Sequence, residues 1–387
     1  MTKVTRGQIL YVIGSFYPAQ SGGPNNTIYY QARKVASILA KRGIDAGVHV
    51  VTTSRGLDTT LINEHAIEFD KKLDFGNIKA TFVKCGSGGQ FSLKFYLKIS
   101  SAIFAADSIN LTSVFFLPSI YSALLCILLR KKFTIAPRGE LDPNALIYRK
   151  KTKHLALTLL KQVYGKADKV IVTSELERQQ VRELLGPVSS LLIKNYYEIP
   201  RQLDSNLKVD RRHHPYVLYL GRIHPKKNLE SLIDSFKNDT IRELGLRLLI
   251  AGSGDEQYLK EVAAHAEGLD RVEFLGSVVG DKKQELLINA LCMVLPSWGE
   301  NFGNVVTEAL AVGTPVIASQ YTPWESLKLF QLGNWIDPSP RCIAESIVKI
   351  AGLKDDEYAA LRERCIEYAR SELNIRTAPE HLFVELI

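Results

Sequence analysis

The sequence predicts an α/β chain of two domains, on three observations. Short apolar runs alternate with longer stretches whose apolar residues recur at helical spacing, the pattern of parallel strands joined by crossover helices. A length of 387 residues suits two domains of ordinary size, each with its own core. The stretch RQLDSNLKVDRRHHP (201–215) is polar, lacks apolar periodicity and reads as the linker between them. The expected division is 1–200, 201–370 and a tail, 371–387.

Taken in order, GQILYVIGSF (7–16) reads as the first strand, and YPAQSGGPNN as a glycine-containing loop. TIYYQARKVASILAKRG (27–43) reads as a helix ending at Gly43, and GIDAGVHVVTTS (43–54) as the second strand. KATFVKCG (79–86) looks like a strand, SGGQ (87–90) a turn and FSLKFYLKISSAIFAA (91–106) a helix. VFFLPSIYSALLCILL (114–129) is the nearest approach to a membrane span. It is too short, is interrupted by Pro118, Ser119 and Ser122, and reads as a buried strand followed by a buried helix.

FTIAPRGELDPNAL (133–146) is a strand running into a Pro-Arg-Gly-Glu loop. KHLALTLLKQVYGKA (153–167) is an amphipathic helix and DKVIVTS (168–174) a strand. In SELERQQVRELLG (174–186), Ser174 stands as N-cap and Glu177 three residues on, the pattern of a capping box. After LLIKNYYEIP (191–200) and the linker, strands are expected at 216–223, 247–254 and 271–278, with helices at 228–236 and 283–292. Two further helices, 341–353 and 355–373, close the chain.

Apolar content of 46% with 23% charged residues is that of a soluble globular protein. Cysteines 85, 126, 292, 342 and 365 are scattered and odd in number, form no CxxC pair, and suggest neither zinc nor a disulfide framework. A reducing cytosol fits them. Lys3 and Arg6 precede a short apolar run with no small-x-small cleavage pattern after it, so the start reads as a strand rather than a targeting signal.

Charge is uneven along the chain. Residues 1–195 carry 27 Lys and Arg against 13 Asp and Glu, a net +14; the remainder carries 22 against 28, a net −6. The clusters Arg130-Lys131-Lys132 and Arg149-Lys150-Lys151 with Lys153 suit anionic lipid headgroups or a lipid diphosphate, with a plain solvated face as the bland reading. No interleaved aromatic and basic platform points to nucleic acid.

Chemistry concentrates in PSWGENFGNVVTEALAVGTPVIAS (296–319). A strand (291–297) leads into a loop, a helix (304–312) and a second strand (314–319), a βαβ unit whose loop lies where open parallel sheets bind ligands. Glu300 sits in the loop and Glu308 in the helix, while Asn301, Gly303 and Asn304 let backbone N–H groups approach an anion at the helix start. A second constellation follows strand 216–223, where Arg222 and Lys227 flank one turn and can converge on a diphosphate.

These stretches together resemble the retaining glycosyltransferases of family 4. The 296–319 segment is similar to that family's paired-carboxylate motif, GRIHPKKN (221–228) to its glycine-arginine and lysine loop, SGGPNN (21–26) to its amino-terminal glycine loop, and AGSGDE (251–256) to its central glycine turn. In register, the four cover almost the whole chain. The resemblance implies the GT-B fold, two Rossmann-like domains with parallel sheets facing across a cleft, and a last helix that returns to the first domain.

It also implies transfer of a hexose from a nucleoside diphosphate sugar to a saccharide, with retention at the anomeric carbon and without cofactor or metal. Arg222 and Lys227 would stabilise the leaving diphosphate, Glu300 a donor-sugar hydroxyl and Glu308 the ribose. Asn301, Phe302, Gly303, Asn304, Val305, Gly221, Gly252 and Gly254 would complete the donor site, with Gly22 and Gly23 against the diphosphate or acceptor.

Many family members have a histidine where this chain has Pro137 and Arg138, which puts a histidine-dependent role in doubt and makes Arg138 the candidate acceptor contact. That loop and TPWESLKLFQLGNWID (322–337) are similar to a branch that builds bacterial surface polysaccharides: O-antigen, capsule or exopolysaccharide. The expected acceptor is a lipid-linked saccharide, such as one on undecaprenyl diphosphate, with the enzyme in the cytoplasm or peripheral on the inner face of the plasma membrane. Trp324 and Trp335 are expected in the core or the cleft wall. A nucleotide-sugar epimerase on the same scaffold and a non-catalytic nucleotide-sugar-binding subunit are the alternatives.

Overall fold

The computed structural model describes residues 7–19, 23–86, 90–143, 146, 150–199 and 215–387. The predicted linker residues 201–214, the turn residues 87–89 and Gly22 lie outside this set. The chain divides into two compact units, Met1–Glu198 with Ala378–Ile387, and Ile199–Thr377.

The first unit runs β1 (Gly7–Val12), α1 (Gly23–Lys41), β2 (Ala46–Thr53), a short helix Thr59–Glu64, β3 (Lys72–Phe75), β4 (Ile78–Val83), α2 (Leu93–Ala105), β5 (Ser108–Thr112), α3 (Leu117–Leu129), β6 (Lys132–Ala136), α4 (Lys150–Tyr164), β7 (Lys169–Val172), α5 (Glu175–Leu185) and β8 (Ser190–Leu192). Its eight strands lie in the order β3-β4-β2-β1-β5-β6-β7-β8. All pairs are parallel except β3 with β4, because the tight turn through Gly76 and Asn77 reverses the chain at once and leaves no room for a crossover. The central strands are buried on both faces, so that even their polar residues His49, Asn110 and Thr134 lie out of solvent.

The second unit runs β9 (Tyr216–Leu220), a 3₁₀ turn Pro225–Lys227, α6 (Leu229–Ser235), β10 (Arg247–Ala251), β11 (Val272–Gly276), α7 (Gly280–Asn289), β12 (Cys292–Leu295), α8 (Asn304–Ala311), β13 (Val316–Ser319) and β14 (Gly333–Ile336), with helices Pro340–Ala351 and Asp355–Tyr368 among the remainder. Its six strands are ordered β11-β10-β9-β12-β13-β14 and paired in parallel.

In both sheets the strand order reverses beside the first strand, between β1 and β5 and between β9 and β12. Loops leaving the carboxyl ends of those two strands diverge there and open a crevice, the usual ligand site of a doubly wound sheet.

Residues 371–377 stay with the second unit, as does the helix Asp355–Tyr368. The segment packed on the first unit is the helix Glu380–Val384 and its flanks. Lys41 pairs with Glu380 at 2.8 Å, Phe383 is buried with its ring 5.9 Å from that of Tyr196, and the Leu386 carbonyl accepts from Ser108 and Asn110.

Three local expectations differ from what is found. The first helix begins at Gly23 rather than Thr27, because Pro24 suits a first helical turn, where its missing N–H costs nothing. Residues 114–116 form a bend and no strand, and α3 buries only one side: Pro118, Ser119, Ser122, Ala123 and Cys126 face inward while Leu117, Leu124 and Leu128 stand exposed. The capping box at α5 is half formed. Ser174 Oγ accepts from the Glu177 N–H at 3.1 Å, but the Glu177 carboxylate turns to Thr173 N–H (2.7 Å), Thr173 Oγ1 (2.9 Å) and Gly139 N–H (2.8 Å). Three donors from neighbouring strand ends outcompete one from its own helix.

Candidate functional site

The 3₁₀ turn after β9 and the loop after β12 meet at the switch point of the second sheet. Backbone geometry locks them together: Trp298 N–H donates to the Lys226 carbonyl at 2.9 Å. The buried Asn228 side chain donates to the Pro296 and Pro338 carbonyls at 3.2 and 3.1 Å, from a left-handed backbone that asparagine tolerates.

On this frame the Lys227 ammonium forms an ion pair with Glu300 Oε1, to which Ser297 Oγ also donates at 2.7 Å. Burial pushes the Glu300 carboxyl pKa upward, but Lys227, the Ser297 hydroxyl and the nearby Lys226 outweigh it and hold it below the ordinary carboxylate value. Glu300 is therefore ionised at neutral pH, a pure hydrogen-bond acceptor.

Arg222 is exposed and its carbonyl accepts from the buried Tyr219 hydroxyl at 2.8 Å. Its charge, after burial and together with Lys227 and Lys226, keeps the His224 pKa below its ordinary value. Accordingly, His224 Nδ1 accepts the Lys226 N–H at 3.1 Å and caps the turn. Lys227 and Glu300 are thus brought into contact, and Arg222 stands exposed on the same loop.

Glu308, just over one turn into α8, pairs instead with Lys283 of α7 at 2.8 Å. Gly303 is the N-cap of α8 with φ +81°, a conformation that favours glycine. A Cβ there would press to 3.1 Å on Leu295 Cδ2 and 3.2 Å on Trp324 Nε1. Having no side chain, Gly303 leaves the amino end of α8 without a side-chain cap. Asn301, Asn304 and Val305 are half-buried around it. Phe302 is different: its ring is buried 5.1 Å from that of Trp324, whose indole N–H donates to the Phe302 carbonyl, so its side chain belongs to the core. The Trp335 indole N–H donates to the Thr322 carbonyl at 3.1 Å.

Gly221, Gly252 and Gly254 lie at one crossing of two loops. Gly221 N–H donates to Ala251 O and Ile223 N–H to Ser253 O, so the loop after β9 runs alongside the loop after β10. A Cβ on Gly252 would fall 1.8 Å from Gly221 O, and one on Gly254 2.1 Å from Ile223 O. The physical demand for glycine here is backbone against backbone, and it aims the Arg222 to Lys227 turn.

In the first unit, Arg138 has φ +54° and a half-buried side chain. It donates to Asn195 Oδ1 at 3.0 Å and to Gln31 Oε1 at 3.2 Å, tying the loop after β6 to α1 and to the segment after β8. Burial lowers its pKa, against the opposing influence of Glu177 and Tyr11. Glu140 of the same loop accepts from Ser113 Oγ (2.6 Å) and from the Val114 and Phe115 N–H groups (2.7 and 3.2 Å). Gly23 is the first residue of α1.

Sequence reasoning missed five contributors: Ser297 and Tyr219, which buttress the site, Lys283, which partners Glu308, and the exposed ring pair Trp298 and Tyr321, centroids 5.6 Å apart. The segment PSW before Glu300 was the available cue for Ser297 and Trp298.

Residues 202–372 match the family model described as glycosyl transferases group 1. An uncharacterised glycosyltransferase of Methanocaldococcus jannaschii is 36% identical over 35% of this chain and 35% of its own. A phosphatidyl-myo-inositol mannosyltransferase of Mycobacterium tuberculosis is 30% identical over 56% of this chain. The match spans 58% of that relative's length. Family model and relatives alike are glycosyltransferases, and each match covers only part of this chain. Among solved structures, Anabaena HepE in complex with UDP-glucose superposes with a TM-score of 0.73 at 17% identity, covering 98% of this chain and 99% of its own. WaaG, a glycosyltransferase involved in lipopolysaccharide biosynthesis, gives 0.63 at 14% identity over 94% and 95%. The fold, two parallel-sheet α/β domains, is that of these GT-B glycosyltransferases.

Proposed function

We propose that this chain is a retaining glycosyltransferase that moves a hexose from a nucleoside diphosphate sugar to a saccharide acceptor. The observation that carries this reading is the Lys227–Glu300 pair at the β9/β12 switch point, inside the segment that matches the family model. An ionised carboxylate there accepts a hydrogen bond from a donor-sugar hydroxyl, and the three donors of an ammonium can serve both the carboxylate and a diphosphate oxygen. Arg222 adds a second cation, and the amino end of α8 adds its N–H groups and dipole. Glu308 takes the ribose hydroxyls.

In the mechanism that the family resemblance implies, the bond from the anomeric carbon to the diphosphate oxygen breaks. The acceptor oxygen bonds on the same face, and the acceptor proton passes to the departing phosphate. Charge that develops on the diphosphate is met by Arg222 and Lys227, whose fixed positions favour the transition state over the ground state. These cations do the work without a metal, so a chelator should leave the rate unchanged.

The finer reading places the acceptor on a lipid diphosphate in bacterial surface polysaccharide assembly, with the enzyme working at the inner face of the plasma membrane. The Pro137–Glu140 loop, with Gly22 and Gly23, contributes on the acceptor side.

A thermal-shift screen against nucleoside diphosphates and their common sugars, without metal, tests the donor half. UDP sugars come first, because HepE structures hold UDP and glucose. A ligand at 100 times its Kd should stabilise the fold by roughly 2.7 kcal/mol. No shift with any of them, or one unchanged in Arg222→Ala and Lys227→Ala, overturns the reading. A shift without transfer to any saccharide leaves the binding-subunit alternative.

A further inference from the structure

Helices α2 and α3 pack against each other through Tyr96 and Tyr121, rings 5.0 Å apart, and through Ser100 Oγ and the Tyr121 hydroxyl at 2.6 Å. Their inner faces join the core of the first unit: Phe95, Ile99, Ala102 and Ile103 from α2, Ala123 and Cys126 from α3. Their outer faces are apolar as well. Leu93, Leu97 and Phe104 stand exposed on α2, and Leu117, Leu124 and Leu128 on α3, with Phe91 just ahead of them. Exposures reach 72% for Leu93, 78% for Leu128 and 87% for Phe91, far beyond what scattered surface leucines need. Spacings of four and seven along each helix put each set on one stripe. The result is a two-helix apolar ridge, the kind of surface that marks an interaction site.

Charge identifies the partner. From 91 to 164 the chain has three acidic residues, Asp107, Glu140 and Asp142, and none lies on α2, α3 or α4. Asp107 accepts the Gln8 N–H, Glu140 is engaged by the Ser113–Phe115 segment, and Asp142 is buried. Cations border the ridge: Lys94 on α2, which reaches Asp70 at 2.5 Å, and exposed Arg130 and Lys132 after α3. Lys131 donates to the Phe104 and Ala106 carbonyls, fastening that basic turn to the end of α2.

A second copy of the chain would set these cations against their own images across a two-fold axis and is disfavoured. Anionic lipid meets both demands: acyl chains accept the Leu and Phe side chains, and phosphates accept the cations.

We propose that the α2–α3 ridge docks this protein on an anionic membrane surface, with Leu97, Phe104, Leu124 and Leu128 entering the acyl boundary and Arg130 and Lys132 meeting lipid phosphates. No described helix is long and apolar enough to cross a membrane, so the contact is with the surface. The inference deepens the lipid-linked acceptor reading above, and rests on it only for its biological purpose.

The test is co-sedimentation of the full chain with phosphatidylcholine vesicles, with or without phosphatidylglycerol, beside the double variant Leu124→Glu/Leu128→Glu. Binding should require phosphatidylglycerol and weaken with salt. Removing two leucines that would enter the acyl boundary and adding like charge should cut partitioning at least about tenfold. Because both positions are exposed, the variant should keep its melting temperature and its donor-induced shift. No vesicle binding, or binding equal in the variant, overturns the proposal. So does a parent dimer that the variant dissolves, which would make a second copy the occupant. Vesicle binding without any nucleotide-sugar shift would sustain the ridge and sink the transferase reading.

Discussion

The two sheets reverse strand order at equivalent places and put different chemistry there. At β9/β12, charged groups face one another across the switch, Lys227 against Glu300, with Arg222 beside them. At β1/β5, the loops carry mainly neutral donors and acceptors. The Asn25 amide donates to Ser15 and to the Ala19 carbonyl, and Ser113 to Glu140; the cation behind them, Arg138, is half-buried and held by amide side chains. One edge brings opposite charges into contact, and the other ties its loops together mainly through neutral side chains. A common fold therefore decides where a site lies, and the polar residues at two or three loop positions decide what it takes.

Glu300→Gln should break this contrast most. Transfer should fall about 10²- to 10³-fold, the usual effect of removing one aimed electrostatic partner. The donor-induced melting shift should persist, because the diphosphate contacts remain. Transfer at nearly full rate would remove Glu300 from the mechanism.

Acid should act mainly on the first unit. His49 is buried on β2, with Nε2 2.9 Å from Thr81 Oγ1. Burial first, then Lys72 and Lys79, hold its pKa down at about 3. The unfolded chain takes up a proton at its ordinary value near pH 6.5, whereas the folded one does not. Stability is thus complete above about pH 6.5 and falls by roughly 1.4 kcal/mol per unit below it, about 2 kcal/mol by pH 5. Urea unfolding at pH 7 and pH 5 measures this. His49→Gln should flatten the difference, and an unchanged slope would place the acid sensitivity elsewhere.

Glu177→Gln is the smallest of the three. One amide donor would face the Thr173 and Gly139 N–H groups that the carboxylate now accepts, at a cost of about 1–2 kcal/mol. Melting should drop while the donor shift stays intact, since the donor residues lie in the other unit. Loss of the donor shift would mean that the two edges are not separable.

Much of the second unit was legible. Alternating strands and helices, Gly303 before α8, and the turn between Arg222 and Lys227 are patterns written within a few residues of each other. The first unit was harder to read. Its short helix Thr59–Glu64 and strand β3 are too brief to show a period, and α3 is apolar enough to read as buried all round. The Ser174 cap was visible, but the destination of the Glu177 carboxylate was not, because it depends on Gly139 N–H of the β6 loop, 38 residues away, being brought beside Thr173.

By itself the sequence determined the α/β class, most strand and helix positions, and the residue types able to meet a diphosphate, since periodicity and turn chemistry act between near neighbours. Tertiary structure alone decided that Lys227 meets Glu300, 73 residues away, that Glu308 meets Lys283, and that Gly252 and Gly254 serve a backbone crossing. It also decided which sides of α2 and α3 stay uncovered. The reason is strand order: only when the sheet is assembled does it become settled which loop ends lie side by side and which helix faces have nothing packed on them.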